Sequence, residues 1–480
     1  METTTYKSVE VENLESRVML SGTHHVGHHY VPPAAPKAPA IVQPKVTSTA
    51  LSISQNATQL TVNGTTGDDQ ITVTQTGYVY TIKNGTWGTT ATGAFKKIVI
   101  NGNGGNDSIV ADKSVTTDCV IKESGAGNDT LTGGSGNDSI YGGTGNNVLS
   151  GGLGNDTIVA VGSTNDTVTG GAGTDRFWLD NNTKTQVITD QEAAEAKTVH
   201  RITNYMNFNS GKGSTVIGKT PTSVLPEPAV TDKSITYRNF AGGPLFSDAG
   251  PAEDDVTQGY TGDCFFLSVL SSVAKVNPNL IRNMVVDLGD GTFGVQFTNA
   301  NGTPCFVRVD SNFATWNGGS LAYGNFGKGG SLWVAVIEKA YAEFRWSTGN
   351  ATTGYNYASY GAIDGGWMDE SYTALGSRNT GIWSGNATDL INQIGNALKS
   401  GQSVTFAVGN PPAGTNLVGD HAYTVDHLNR DSKGVVMSVT LRNPWGVDGY
   451  SSTDGANDGY VTVTVAQFFT ASIGAVAANV

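Results

Sequence analysis

The chain is 480 residues long, enough for roughly two to four domains with sizeable cores. A net charge of −13 excludes the basic footprint of a nucleic-acid binder, and three cysteines exclude a disulfide scaffold. No stretch approaches the roughly 18–20 apolar residues of a membrane span, while 63 glycines, about twice ordinary usage, point to a repeat.

Residues 1–50 read as an extended, disordered tail. THHVGHHYVPPAAPKAPAIVQPK is proline-rich and aperiodic. Its His24, His25, His28 and His29 are read as a solvated patch. The start has no apolar core of signal-peptide type. LESRVMLSG resembles a short L-E-x-R-x-x-L-S element found near the start of many large exported bacterial proteins. That resemblance, with the calcium argument below, implies an extracellular or cell-surface protein.

Residues 51–180 form the next unit. LSISQNATQLTVNG, QITVTQTGYVYTI and KKIVING alternate with period two between Asn-Gly and Gly-rich turns, which predicts β-strands. From Gly102 a nonapeptide takes over. GNGGNDSIV comes first, then SGAGNDTLT, GGSGNDSIY, GGTGNNVLS and GGLGNDTIV in unbroken register, then VGSTNDTVT and GGAGTDRFW after one extra residue, Ala160. Each reads G-G-x-G-x-D-x-U-x, with U apolar. The glycines allow tight turns. The apolar residue (Leu131, Ile140, Leu149, Ile158, Val168, Phe177) points to a core. The aspartates Asp107, Asp129, Asp138, Asp156, Asp166 and Asp175 recur at a regular rise beside turn carbonyls, making oxygen cages suited to Ca²⁺. The array resembles the RTX calcium-binding β-roll, an all-β parallel fold. Asn147 replaces one aspartate and Ala160 breaks register, so fewer ions are expected there. Without calcium the stacked carboxylates repel, so the array is expected to fold where calcium is plentiful, as outside a cell.

Residues 181–235 read as a linker, with a short helical patch (DQEAAEAK) and a proline break. Residues 236–480 have the composition of a mixed α/β enzyme. In QGYTGDCFFLSVLSSVAKV a Gly-rich start gives way to helical apolar spacing, which places Cys264 at a helix N-terminus, where the dipole lowers a thiol pKa. Gln258 can donate to an oxyanion. A thiol nucleophile needs a base and the base an orienter: GDHAYTVDHL supplies His421, and VTLRNPWGVDGY supplies Asn443 at a strand end.

These boxes, Gln258 to Cys264, Gly419 to Tyr423 and Arg442 to Gly446, resemble the calpain family of papain-like cysteine peptidases, in the family's order. SLWVAVIEKAYAEF looks like its interior helix. The resemblance implies an α+β papain-like domain hydrolysing protein or peptide substrates through a thioester. It implies Cys264 as nucleophile, His421 as base then acid, Asn443 as orienter, Gln258 in the oxyanion hole, and Trp445 as a shield over the His–Asn bond. It also implies a second calcium site inside this domain, using Asp255 and Glu370. Two departures are Phe265, where the family usually has Trp, and the lack of an EF-hand loop. His427 is read as a structural strand residue, His200 as a linker residue, and Cys119 and Cys305 as packing. Two other readings are a calcium-organised surface or adhesion protein with a non-catalytic scaffold, and a transglutaminase-like acyl transferase, which Asn443 in its Asn-Pro-Trp-Gly context disfavours. Oligomeric state is open.

Overall fold

The computed structural model describes residues 50–163, 165–181, 186–206, 213–214, 225–230, 232–317, 319–350, 358–449 and 456–480; the tail at 1–49, with its four histidines, lies outside them. The repeats wind into two facing eight-stranded sheets, mostly parallel. Successive nonapeptides place their strands on opposite sheets, so residues two repeats apart become neighbours. Ile140 pairs with Ile158, which pairs with Phe177; on the other sheet Leu131 pairs with Leu149, which pairs with Val168. All six are fully buried, and they form one core with the strands Gln59–Asn63, Gln70–Thr76 and Lys97–Asn101.

The Asn-Asp pair found in most of the repeats joins the coils. The aspartate Oδ1 accepts an N–H from the coil before it: Asp138 N–H donates to Asp156 (2.7 Å) and Asp156 N–H to Asp175 (2.8 Å). The preceding asparagine bonds in the opposite direction, Asn137 Oδ1 accepting from Asn155 N–H at 2.8 Å. Each dipeptide thus satisfies backbone donors of both neighbouring coils, which turns would otherwise leave unpaired.

The roll continues beyond residue 180, its expected end. Arg176–Asp180 pairs in parallel with Val199–Ile202. The patch DQEAAEAK contains one 3-10 turn, Ala193–Lys197, whose buried Glu195 takes the N–H of Asp175 at 3.0 Å. Glu195 therefore does the work of an aspartate in a coil the consensus does not reveal. Tyr205–Met206 then pairs directly with Pro304–Asp310 in the C-terminal domain. The described parts of the expected 181–235 linker are thus largely a last coil and an added strand.

The C-terminal domain is α+β. A helix at Trp333–Ser347 is buried over most of its length, its charged residues Glu338, Lys339, Glu343 and Arg345 included. Beside it runs the helix Cys264–Val276. The latter is joined by Thr424 Oγ1 donating to Ser268 O at 2.7 Å to a six-stranded antiparallel sheet. That sheet carries the strands Ser403–Val408, His421–Arg430, Val436–Arg442 and Tyr460–Thr464 side by side. No single helix among the described residues is long and apolar enough to cross a membrane.

Roll and domain share an apolar contact. Tyr141, Val159 and Trp178 pack with Val286 and Phe306. His200, expected in a linker, is a buried plug there: its ring lies 4.1 Å from Trp178, and Nδ1 meets Gln296 Oε1 at 2.6 Å.

Candidate active site

Cys264 is the first residue of its helix; the carbonyl of Asp263 before it accepts from the Phe266 and Leu267 N–H groups at 2.9 and 3.0 Å. The loop ahead is anchored by Gln258 N–H on Pro444 O (2.7 Å) and Tyr260 N–H on Ala322 O (2.8 Å). Burial pushes the thiol up to about 11, against the pull of backbone N–H groups that include Ala422, the neighbour of His421. Burial thus opposes the lowering expected from the helix N-terminus. Desolvation outweighs the dipole.

His421 opens its strand after Asp420, which holds a left-handed φ of +50°. The register that sets Thr424 opposite Arg442 brings the start of this strand to the end of the next. There His421 Nε2 donates to Asn443 Oδ1 at 2.8 Å. Asn443 is completely buried, and its Oδ1 also accepts the Trp445 N–H at 3.0 Å, which fixes the amide oxygen toward the imidazole. The Trp445 ring lies 4.9 Å from the imidazole ring. With Nε2 donating, Nδ1 carries the lone pair. Burial pushes His421 down to about 4, the Asn443 bond opposing it. Thiol and imidazole thus resist charging singly, and passing a proton from one to the other creates both charges together.

Asn443→Ala is expected to lower kcat by roughly 10- to 100-fold, because it frees the imidazole to rotate without removing it. Deleting the base forfeits the whole general acid–base contribution, about 10²–10⁴. A folded Asn443→Ala enzyme as slow as His421→Ala would overturn that ordering.

Gln258 Nε2 gives one hydrogen to Thr261 O at 2.7 Å, which leaves the other available to an oxyanion. Two groups escaped the sequence reading. Asp263, directly ahead of Cys264, and Glu338 are buried carboxyls, and Glu338 Oε2 accepts the Gly324 N–H at 2.7 Å. Burial raises both, Glu338 to about 7.

Asp255 and Glu370, expected to share a cation, are each held by protein groups in this structure. Asp255 accepts from Lys328 N–H (2.8 Å), Trp333 Nε1–H (3.0 Å) and Ala252 N–H (3.0 Å). Glu370 is paired with the Arg345 guanidinium at 2.7 Å. Both oxygens of Asp255 thus have protein donors, whereas the donors to Glu370, Arg345 and the Trp367 N–H, meet on its Oε1. His427 is exposed on its strand and paired with Asp426.

The repeat aspartates were tested for calcium by their free oxygens. Asp156 Oδ2 and Asp175 Oδ2 are buried without a donor. A Cβ at Gly151 would collide with Asp156 Oδ2 and with the carbonyl of Gly170, and one at Gly133 with Asp138 Oδ2 and the carbonyl of Gly151. Carboxylate and next-coil carbonyl thus converge on a hollow that only glycine leaves open. Burial pushes Asp156 up to about 8 and Asp129, Asp138 and Asp175 up to about 6. The donors are all oxygen and the charge is unbalanced, which fits Ca²⁺. Asp107, Asp129, Asp156 and Asp175 would hold it, whereas Asp138 already accepts the Cys119 N–H on Oδ1 and the Gly134 N–H on Oδ2, each at 2.6 Å. Asn147 closes its own hollow by donating Nδ2–H to Gly142 O at 2.8 Å. At Asp166 the Asn147 N–H occupies Oδ1, while Ser163 Oγ and Gln186 Nε2 donate to Oδ2.

Residues 236–457 match the model of the calpain family cysteine proteases, and residues 99–113, 123–158 and 159–182 match the RTX calcium-binding nonapeptide repeat. The calpain-2 catalytic subunit of Gallus gallus is 27% identical over 221 residues, covering 42% of this chain and 29% of that protein. The calpain-type cysteine protease DEK1 of Arabidopsis thaliana is 29% identical over 218 residues, covering 42% and 9%. The calpain-1 catalytic subunit of Bos taurus is 28% identical over 231 residues, covering 42% and 29%. The chain thus spans less than a third of the length of these relatives.

Proposed function

From a chain that carries a calpain family cysteine protease domain at residues 236–457, with RTX calcium-binding repeats ahead of it, we infer a calcium-dependent cysteine endopeptidase that works outside the cell or on its surface. The observation that carries this is the buried His421–Asn443 hydrogen bond, its strand neighbour Ala422 lying against the thiol at the head of a helix.

In this reading Cys264 Sγ attacks the scissile carbonyl carbon as its proton passes to His421 Nδ1. The oxyanion takes hydrogens from Gln258 Nε2 and the Cys264 backbone N–H. Collapse expels the amine, which takes the proton from His421, and leaves a thioester. Water, deprotonated by the same imidazole, then attacks the thioester and releases the acid and the thiol. Trp445 keeps bulk water from the His–Asn bond.

Calcium in the roll supplies positive charge between stacked carboxylates and so orders the coils. A contact route from there to the nucleophile supports dependence of activity on calcium. The roll packs on Val286 and Phe306, on the sheet that holds Phe297; Phe297 lies 5.7 Å from Tyr341, and Tyr341 stacks on Phe266 at 3.7 Å, two residues after Cys264. Casein hydrolysis by the full chain is expected to be at least tenfold faster in millimolar calcium than in chelator. Equal rates would remove the calcium dependence, and no hydrolysis in either would remove the peptidase.

A further inference from the structure

Glu123 follows the strand Asp118–Lys122 and stands just before Ser124, at a position where the repeat consensus asks for no acid. Its carboxylate joins those of Asp107 and Asp129, with one oxygen of each within 4.8 Å of the others. The three residues are 6%, 2% and 2% exposed. Asp107 Oδ1 accepts the Asp69 N–H and Asp129 Oδ1 the Asp107 N–H, both at 2.8 Å. Asp107 Oδ2 and Glu123 Oε1 have no donor at all. A Cβ at Gly102 would fall onto Glu123 Oε1 and within 2.7 Å of Asp107 Oδ2, so the glycine leaves the space between them open. The adjacent Lys122 does not serve them, since its Nζ lies over the Tyr141 ring at 4.9 Å.

Buried carboxylate oxygens without donors are costly unless a cation or a proton satisfies them. Elsewhere in the array a hollow combines one aspartate with glycine carbonyls; here three carboxylates converge. We propose that Asp107, Glu123 and Asp129 together bind one Ca²⁺, and that Glu123, a ligand from outside the repeat, makes this the tightest site of the roll. The proposal rests on the reading that the roll binds calcium. An all-oxygen, flexible, highly charged donor set suits Ca²⁺, and affinity rises with the number of charged ligands.

The competing account is a proton shared between Glu123 and Asp107, and Glu123→Gln separates the two, because the amide reproduces the protonated acid. Calorimetric titration of the calcium-stripped full chain with CaCl₂ is compared for wild type, Glu123→Gln, Asp107→Asn and Asp156→Asn, with circular dichroism in saturating calcium as the check on folding. The expected result is that Glu123→Gln and Asp107→Asn each weaken the tightest class of sites at least tenfold, while Asp156→Asn leaves that class in place and weakens another. A wild type that binds calcium beside a Glu123→Gln protein with unchanged stoichiometry and tightest Kd would overturn this site alone. A wild type that binds no calcium would overturn the calcium reading of the whole roll.

Discussion

Cys264→Ala is expected to abolish peptide hydrolysis, by at least roughly 10⁴-fold, with the circular dichroism spectrum and unfolding temperature nearly unchanged. Removing one member of a nucleophile–base unit costs about as much as removing the unit. The fold should survive because the side chain is small and only partly buried, and its neighbours Phe265 and Phe266 are held by Arg345 (4.7 Å from the Phe265 ring) and by Tyr341. His421→Ala should lose activity to a similar extent. There a cavity opens beside Trp445, so a modest loss of stability is expected as well. Peptide hydrolysis by either variant at more than about a hundredth of the wild-type kcat/KM would remove these residues from the mechanism, and the thioester route with them. An irreversible thiol-directed label gives a second readout. It should attach to the wild type and to Asn443→Ala, and fail on Cys264→Ala although Cys119 and Cys305 remain as free thiols; Cys119 is buried and Cys305 lies on a strand away from the base.

What the sequence made legible follows from how local each signal is. The nonapeptide declares itself because its glycines, aspartate and apolar residue recur in phase, and every coil of the roll repeats one geometry. Cys264, His421 and Asn443 could be chosen because each sits in a short box with turn and strand signals of its own. Glu195 was invisible, because a glutamate after Glu192 and two alanines reads as helix, and only the N–H of Asp175 in the coil before gives it a task. Glu123 was missed for the same reason: its partners Asp107 and Asp129 lie in other repeats, and what gathers them is the stacking. Asp166 departs from its neighbours in the opposite sense. It has the consensus spacing, yet Val161 and Thr164 stand where the first and third consensus glycines fall, and the Ser163 hydroxyl donates to its Oδ2. Asp255 and Glu370 could not be judged without knowing that Trp333 and Arg345 reach them from a distant helix.

Chelation should make the roll's stability fall as pH rises, and calcium should cancel that fall. In the folded chain burial holds Asp129, Asp138 and Asp175 up at about 6, Asp156 at about 8 and Glu123 at about 9. In the unfolded chain these groups titrate near 4. Between those values the folded state binds more protons than the unfolded one, so the slope of stability against pH is negative. The groups contribute nothing unfavourable below about pH 4, where both states are protonated, and the full penalty develops as pH passes the folded values. Each unit of separation is worth at most about 1.4 kcal/mol per group, so from pH 5 to pH 8 the loss should reach several kcal/mol, a large share of an ordinary domain's stability. Calcium replaces those protons, so its binding should release them, and the rise in unfolding temperature on adding calcium should be small at pH 5 and large at pH 8. Thermal unfolding of the full chain at both pH values, with chelator and with calcium, measures all four corners. An unfolding temperature that climbs with pH in chelator over this range would mean that the stacked carboxylates are neutralised by something other than protons and calcium, and would take the ion out of the folding of the roll.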